Sequence, residues 1–168
     1  NLKLVVSNLA QGFNYVRNAP SPVDWNQFTS RIDFNDSTKS QWFGRLSWGD
    51  ENALGGLTFP SQDDKIVTGV WQFMVSNVRT FSATVVNELR LGVNLFDNDK
   101  GTVLNGVRDV TSELAIPGLP SPIPLAWGAP AIGFSGNNFA SGWGETTEAP
   151  FIVRNRTYQL MDNLSWVR

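Results

Sequence analysis

The chain has no cysteine and no histidine. The first absence excludes disulfides, thiolate nucleophiles and Cys-ligated metals. The second removes the commonest general base and the commonest transition-metal ligand. Charge is also scarce: 13 Lys and Arg stand against 15 Asp and Glu, and charged residues make up 17% of 168 positions. Soluble domains carry about 25%. With no basic excess to neutralise phosphates, nucleic acid is not an expected partner. Long hydrophobic runs are missing too. No stretch of about 18 apolar residues exists, which excludes a transmembrane helix but not a transmembrane strand, whose pattern alternates.

What is present is aromatic and glycine-rich: seven Trp, eleven Phe and fifteen Gly. Five segments alternate with period two, which predicts strands. In 27–34, Phe28, Ser30, Ile32 and Phe34 share one face; in 41–48, Trp42, Gly44, Leu46 and Trp48 do so. Val67, Gly69, Trp71, Phe73 and Val75 form the face of 67–75. In 84–96 the face carries Val85, Asn87, Leu89, Leu91, Val93 and Leu95. The fifth segment, 157–167, presents Tyr158, Leu160, Leu164 and Trp166, broken by Asp162. A position above a membrane, or a bulge turning the carboxylate inward, would accommodate that aspartate. The first four faces offer nineteen positions without Asp, Glu, Lys or Arg. Lipid or a dry protein core would each require this.

The connections discriminate further. Between outermost apolar-face residues they hold 7, 18, 9 and 62 residues, so short alternates with long. A soluble meander has no reason to do this, whereas an outer-membrane barrel has short periplasmic turns and long outer loops. Eight to eleven residues at roughly 3.3 Å, tilted about 40°, span roughly 20–28 Å, near the apolar band of such barrels. Phe28, Phe34, Trp42 and Trp48 bracket the first two segments, where interfacial aromatic girdles belong. By the loop lengths, 27–34 and 67–75 run toward the periplasm, while 41–48 and 84–96 run outward. The stretch 116–144 is too rich in Pro and Gly for sheet and too apolar for a linker, which predicts a structured loop within 97–156. The chain starts without Met and stops in mid-alternation at DNLSWVR, as a piece of a longer protein would.

Three motifs carry a family resemblance. The hairpin NQFTSRIDFNDSTKSQWFGRLSWGDEN (26–52) resembles an NQF-x-x-R-x-D strand followed by FGR-x-S-x-x-D/E. VRTFSATVVNELRLGVNLF (78–96) resembles a TFSP-x-x-x-NE-x-R-x-G-x-N hairpin, with Ala83 in place of the turn proline. SELAIPGLP, PAIGFSG and NRTYQLMDNLSWVR resemble a long loop returning into a strand. In this order they are similar to the barrel of Oar-like TonB-dependent receptors over roughly residues 12–168. The resemblance implies an all-β fold: antiparallel hairpins from a large transmembrane β-barrel, with a long Pro/Gly-rich extracellular loop. It implies about five of 22 strands within 1–168, with the plug and N-terminal domains elsewhere. The implied function is energy-coupled transport across the outer membrane. The implied partners are outer-membrane lipid, the receptor's own plug, the TonB complex and an unknown extracellular substrate.

On that reading Ile32, Leu46, Trp71, Phe73, Leu89, Leu91 and Val93 face lipid. Arg31, Asp33, Arg45, Glu88 and Arg90 face the lumen or plug and pair across strands; the alternative is a solvated outer face with ordinary ion pairs. No catalytic, cofactor or metal residue is expected. Asp63, Asp64, Asp97, Asp99 and Glu145 read as solvated turn residues, and Asp97-Asn98-Asp99 lacks the glycine and glutamate of a calcium loop. SGWGE (141–145) has Trp where a nucleophile elbow needs Ser. The competing fold is a soluble extracellular carbohydrate-binding sandwich stacking sugars on Trp48, Trp127 or Trp143; a third is a hairpin-built adhesin. Five strands with two unpaired edges are not expected to fold alone. A second packed layer over the apolar face would exclude the barrel.

Overall fold

The computed structural model describes residues 17–57, 59–119, 122–133, 143–145 and 149–168. Five strands form one sheet in chain order: β1 (Val23–Ser37), β2 (Ser40–Gly55), β3 (Asp64–Ser82), β4 (Val85–Thr102) and β5 (Phe151–Trp166). A helical turn, α1 (Val110–Glu113), lies between β4 and β5. β1, β2 and β3 contain their alternating segments and extend them, β3 reaching 19 residues around 67–75. β4 starts one residue after 84 and β5 ends one residue before 167, each running further at its other end. Soluble strands average about five or six. The connections are 38–39, 56–63, 83–84 and 103–150, so the short-long alternation holds. The long loop is narrower than 97–156, because β4 continues through Asp97, Asn98 and Asp99 and β5 starts at Phe151.

Serines close both tight turns. The Lys39 amide donates to Ser37 Oγ at 3.3 Å and the Thr84 amide to Ser82 Oγ at 3.2 Å. These hydroxyls take up turn N–H groups that no strand partner could reach. The second turn needs no proline at Ala83.

Side-chain contacts between neighbours fix the parity of the whole sheet. Thr29 Oγ1 donates to Ser47 Oγ at 3.1 Å, the Trp48 and Trp71 rings lie 6.1 Å apart, and Asn98 Nδ2 donates to Thr68 Oγ1 at 2.9 Å. Asn87 Nδ2 donates to Asp162 Oδ1 at 2.8 Å. Each pair joins residues assigned to the same face, so the alternation is in phase across all five strands. Asp162 therefore stays on the apolar face beside Asn87; no bulge turns it inward.

The chain divides into two units. The sheet unit comprises 25–51, 67–98 and 153–168; the loop unit comprises 1–24, 52–66 and 99–152. Among the described residues the buried hydrophobic side chains are Val110 and Ala129, both in the loop unit. The sheet unit is a single layer: Ile32 and Leu160 are each 71% exposed. A sandwich needs a second sheet over that face, so the soluble carbohydrate-binding alternative fails. Of its proposed stacking residues, Trp48 packs on Trp71, while Trp127 and Trp143 are half-buried in the loop unit.

Candidate functional site: the two faces of the sheet

One face is an apolar belt. Phe28, Ile32, Phe34, Trp42, Leu46, Trp71, Phe73, Leu89 and Leu91 are exposed on it, with Trp48 and Val93 half-buried. The belt has charged limits on the same parity. Asp50 follows Trp48 on β2, and Asp97 follows Leu95 on β4. Asp97 pairs with Arg156 of β5 at 2.7 Å and lies 3.7 Å from Arg154. At the tight-turn end stand Asp36, Arg79 and Arg168. Eleven residues from Val85 to Leu95, tilted as in a barrel, cover roughly 25–28 Å. Asp97 was expected as a turn residue. It is a strand residue in an ion pair, and continuing the odd-even count past Leu95 and before Tyr158 would have found it and both arginines.

The other face is polar. Arg31 grips Asp33 with Nε–Oδ2 at 2.8 Å and Nη2–Oδ1 at 2.7 Å, and its guanidinium lies 4.4 Å from the Phe43 ring centre. Arg90 Nε donates to Glu88 Oε1 at 2.7 Å. These pairs run along strands, two residues apart, and not across them as expected. The register explains it: with Thr29 beside Ser47, Arg31 lies opposite Arg45. Like charges directly opposite repel, so Arg31 turns to the carboxylate on its own strand. Arg45 is exposed on this face.

Two hollows in the sheet unit open on the polar side. One, of about 370 Å³, is lined by Trp25, Gln27, Thr29, Ser47, Glu51 and Gln72 among others. The second, about 440 Å³, lies at the β1–β2 turn, with Asn35, Lys39, Gln41 and Thr80 in its wall. Sequence reading missed Trp25, which falls outside the alternating segment 27–34 yet is 66% exposed.

The loop unit is held by side chains gripping backbone. Glu145, expected as a solvated turn residue, is half-buried: its Oε1 accepts from Thr102 Oγ1 at 2.7 Å and from the Ala129 amide at 3.0 Å, while Asn105 Nδ2 donates to Oε2. Gly128 and Gly144 have φ of +151° and +101°, and a Cβ on either would overlap the Glu145 carboxylate or the Pro130 carbonyl, respectively. Buried Gln62 donates from Nε2 to the Gly144 carbonyl at 2.8 Å. Asp63, also expected in a solvated turn, is clamped by Arg17 with Nη2–Oδ2 at 2.7 Å and accepts from the Leu57 amide at 2.9 Å. The Arg17 hydrogen bonds, more than the Leu57 amide, hold the Asp63 carboxyl below the usual aspartate range. Asp109 caps α1 by accepting from the Ser112 amide at 3.0 Å; hydrogen bonds from Ser112 and Thr111 lower its pKa. So a Pro/Gly-rich loop is structured, with Ile132 bridged to Trp143. Ser141 and Gly142 of SGWGE, residues 134–136 of PAIGFSG, and most of the N-terminal approach lie outside the described residues. Among those described, no group of three or more Asp or Glu could hold a metal.

No curated protein and no solved structure matched the chain. Residues 3–168 match the family of outer membrane beta barrel domains, nearly the whole sequence. A single-layer antiparallel sheet with an exposed apolar belt is what one arc of such a barrel looks like before closure. The chain belongs to the outer membrane beta barrel domain family, and it is a transmembrane β-barrel segment of the bacterial outer membrane.

Proposed function

We propose that this segment is wall and loop of a TonB-dependent, Oar-like receptor, serving energy-coupled transport across the outer membrane. The three hairpin motifs carry the resemblance. The exposed apolar belt, charge-limited at both ends, is the observation that supports its orientation. Ile32, Leu46, Trp71, Phe73, Leu89, Leu91 and Val93 face hydrocarbon, with Phe28, Phe34, Trp42 and Trp48 at its borders. Arg31, Asp33, Arg45, Glu88 and Arg90 face inward to the lumen and plug. The tight turns lie in the periplasm and 103–150 lies outside, where it helps capture substrate. No catalysis takes place in this segment. The TonB complex acts on the plug, and the wall supplied here stays passive while the lumen opens.

The absence of native cysteine from the segment makes the test direct. Single cysteines at Leu89 through Val93 in the full-length receptor, in outer-membrane vesicles, are challenged with a water-soluble maleimide. Shielding at Leu89, Leu91 and Val93 with labelling at the intervening positions supports the reading. Labelling of Leu91 would overturn it. Competition for TonB-driven uptake on deleting the TonB-binding segment tests the transport half.

A further inference from the structure

Asp162 is the charged side chain within the belt, and belt chemistry alone gives no reason for it. Its surroundings do. It accepts from Asn87 at 2.8 Å across the β4–β5 seam and remains exposed. The β3–β4 register, set by Val103 N donating to Asp63 O at 3.1 Å and by Asn98 on Thr68, places Arg79 opposite Asn87. Arg79 is exposed on the belt face and leans on Phe81, its guanidinium 5.5 Å from the ring centre. Across three adjacent strands the belt face thus carries a cation opposite an amide, with an anion set diagonally one pair deeper: Val167 N donates to Thr84 O, which places Leu164 opposite Asn87 and Asp162 opposite Leu89. Two strand spacings and the two-residue offset put roughly 12 Å between the outer backbones, which the Arg79 side chain shortens. Asn87 is the third residue of β4, so the group lies close to the tight turns.

We propose that Arg79, Asn87 and Asp162 form a headgroup clamp for a zwitterionic phospholipid bearing a primary ammonium, phosphatidylethanolamine. The phosphate sits on Arg79 and the Asn87 amide edge; the ammonium donates to Asp162. This rests on the belt being lipid-facing and explains its one acidic member. A carboxylate in that position is offset by a mobile cation that the bilayer itself supplies. The primary ammonium matters because it donates hydrogen bonds to a carboxylate, whereas trimethylammonium has none to give.

The test reconstitutes the full-length receptor in vesicles of phosphatidylethanolamine with phosphatidylglycerol, and of phosphatidylcholine with phosphatidylglycerol. Lipid retained on the detergent-extracted protein is counted by native mass spectrometry. The ethanolamine lipid is expected to be retained about fivefold over the choline lipid, one interfacial charge pair's worth. D162N should bring the ratio close to one, whereas R79Q, which removes the contact to the phosphate that both lipids share, should lower the retention of both. D162N keeps a hydrogen bond to Asn87, so the fold is preserved, which heat-modified electrophoretic mobility checks. A wild-type ratio near one, a ratio unchanged in D162N, or total retention unchanged in R79Q overturns the clamp. The L91C maleimide assay separates the two failures: a shielded Leu91 with a flat ratio sinks the clamp alone, and a labelled Leu91 sinks the lipid-facing reading with it.

Discussion

The sheet unit and the loop unit are built from one composition by opposite rules. In the sheet unit, position is set by parity: every second residue belongs to one side, and few side chains are individually indispensable. No hydrophobic side chain of the belt is fully buried, though Trp48 and Val93 are half-covered by neighbours. In the loop unit, position is set by specific grips, with Glu145, Gln62 and Asp63 each satisfying backbone or amide donors and acceptors. On the proposed lipid-facing orientation, the first unit borrows its stabilising medium from the bilayer. The second makes its own, small as it is, around Val110 and Ala129. A substitution in the sheet therefore acts through solvent, and one in the loop acts through geometry.

The sharpest way to break that contrast is a charge in mid-belt. Leu91→Arg should cost about 2–4 kcal/mol in a full-length barrel unfolded by urea from lipid vesicles, while arginine at neighbouring Asn94, on the polar face, should cost far less. Equal losses at the two sites would mean that parity does not decide. Gly144→Ala should cost about 1–3 kcal/mol locally, since its φ of +101° and the Pro130 carbonyl leave no place for a methyl group. Limited proteolysis should cut 103–150 faster with the barrel's electrophoretic mobility unchanged. Glu145→Gln should cost about 1–3 kcal/mol by the same assay, because its amide turns a donor toward groups that already donate. Loss of the barrel in either loop variant would show that the two rules are not separable.

Acid gives a smaller and graded effect. Arg17 lowers the Asp63 pKa, so the folded state holds the carboxylate more firmly than the unfolded chain does. A depressed pKa stabilises in full above the unfolded value, about 3.9 for aspartate, and the gain is lost as pH falls through the folded value. Protection of 56–63 in hydrogen exchange should be constant down to about pH 5 and decline below pH 4; Asp63→Asn should remove the decline. The weakest effect is expected at Arg31. With both partners exposed, Arg31→Ala should change unfolding by about 1 kcal/mol or less, its stacking on Phe43 included.

Much of the sheet was legible because period two is a local signal that needs no knowledge of partners. Phe28 to Phe34 and Leu89 to Leu95 announce their face whatever they touch. Strand ends were less legible: Asp97, Asn98 and Asp99 resemble a turn by composition, yet register with Thr68 and Arg156 keeps them in the ladder. The direction of ion pairing was not legible, because it depends on Arg31 lying opposite Arg45, a fact of register and not of sequence spacing. The loop's contents were hidden for a similar reason. Glu145 meets Thr102 from 43 residues away, and no periodicity encodes such an encounter.

The unbroken phase of the five strands also limits how this gene can vary. Adding or deleting one residue inside 85–97 would exchange Leu89, Leu91 and Val93 for Glu88, Arg90 and Asn94 on the belt face, and every position beyond it with them. Length changes within strands must come two at a time or be undone by a second change nearby. The connection from 103 to 150 has no such rule, and its drift among related barrels should be odd and even alike.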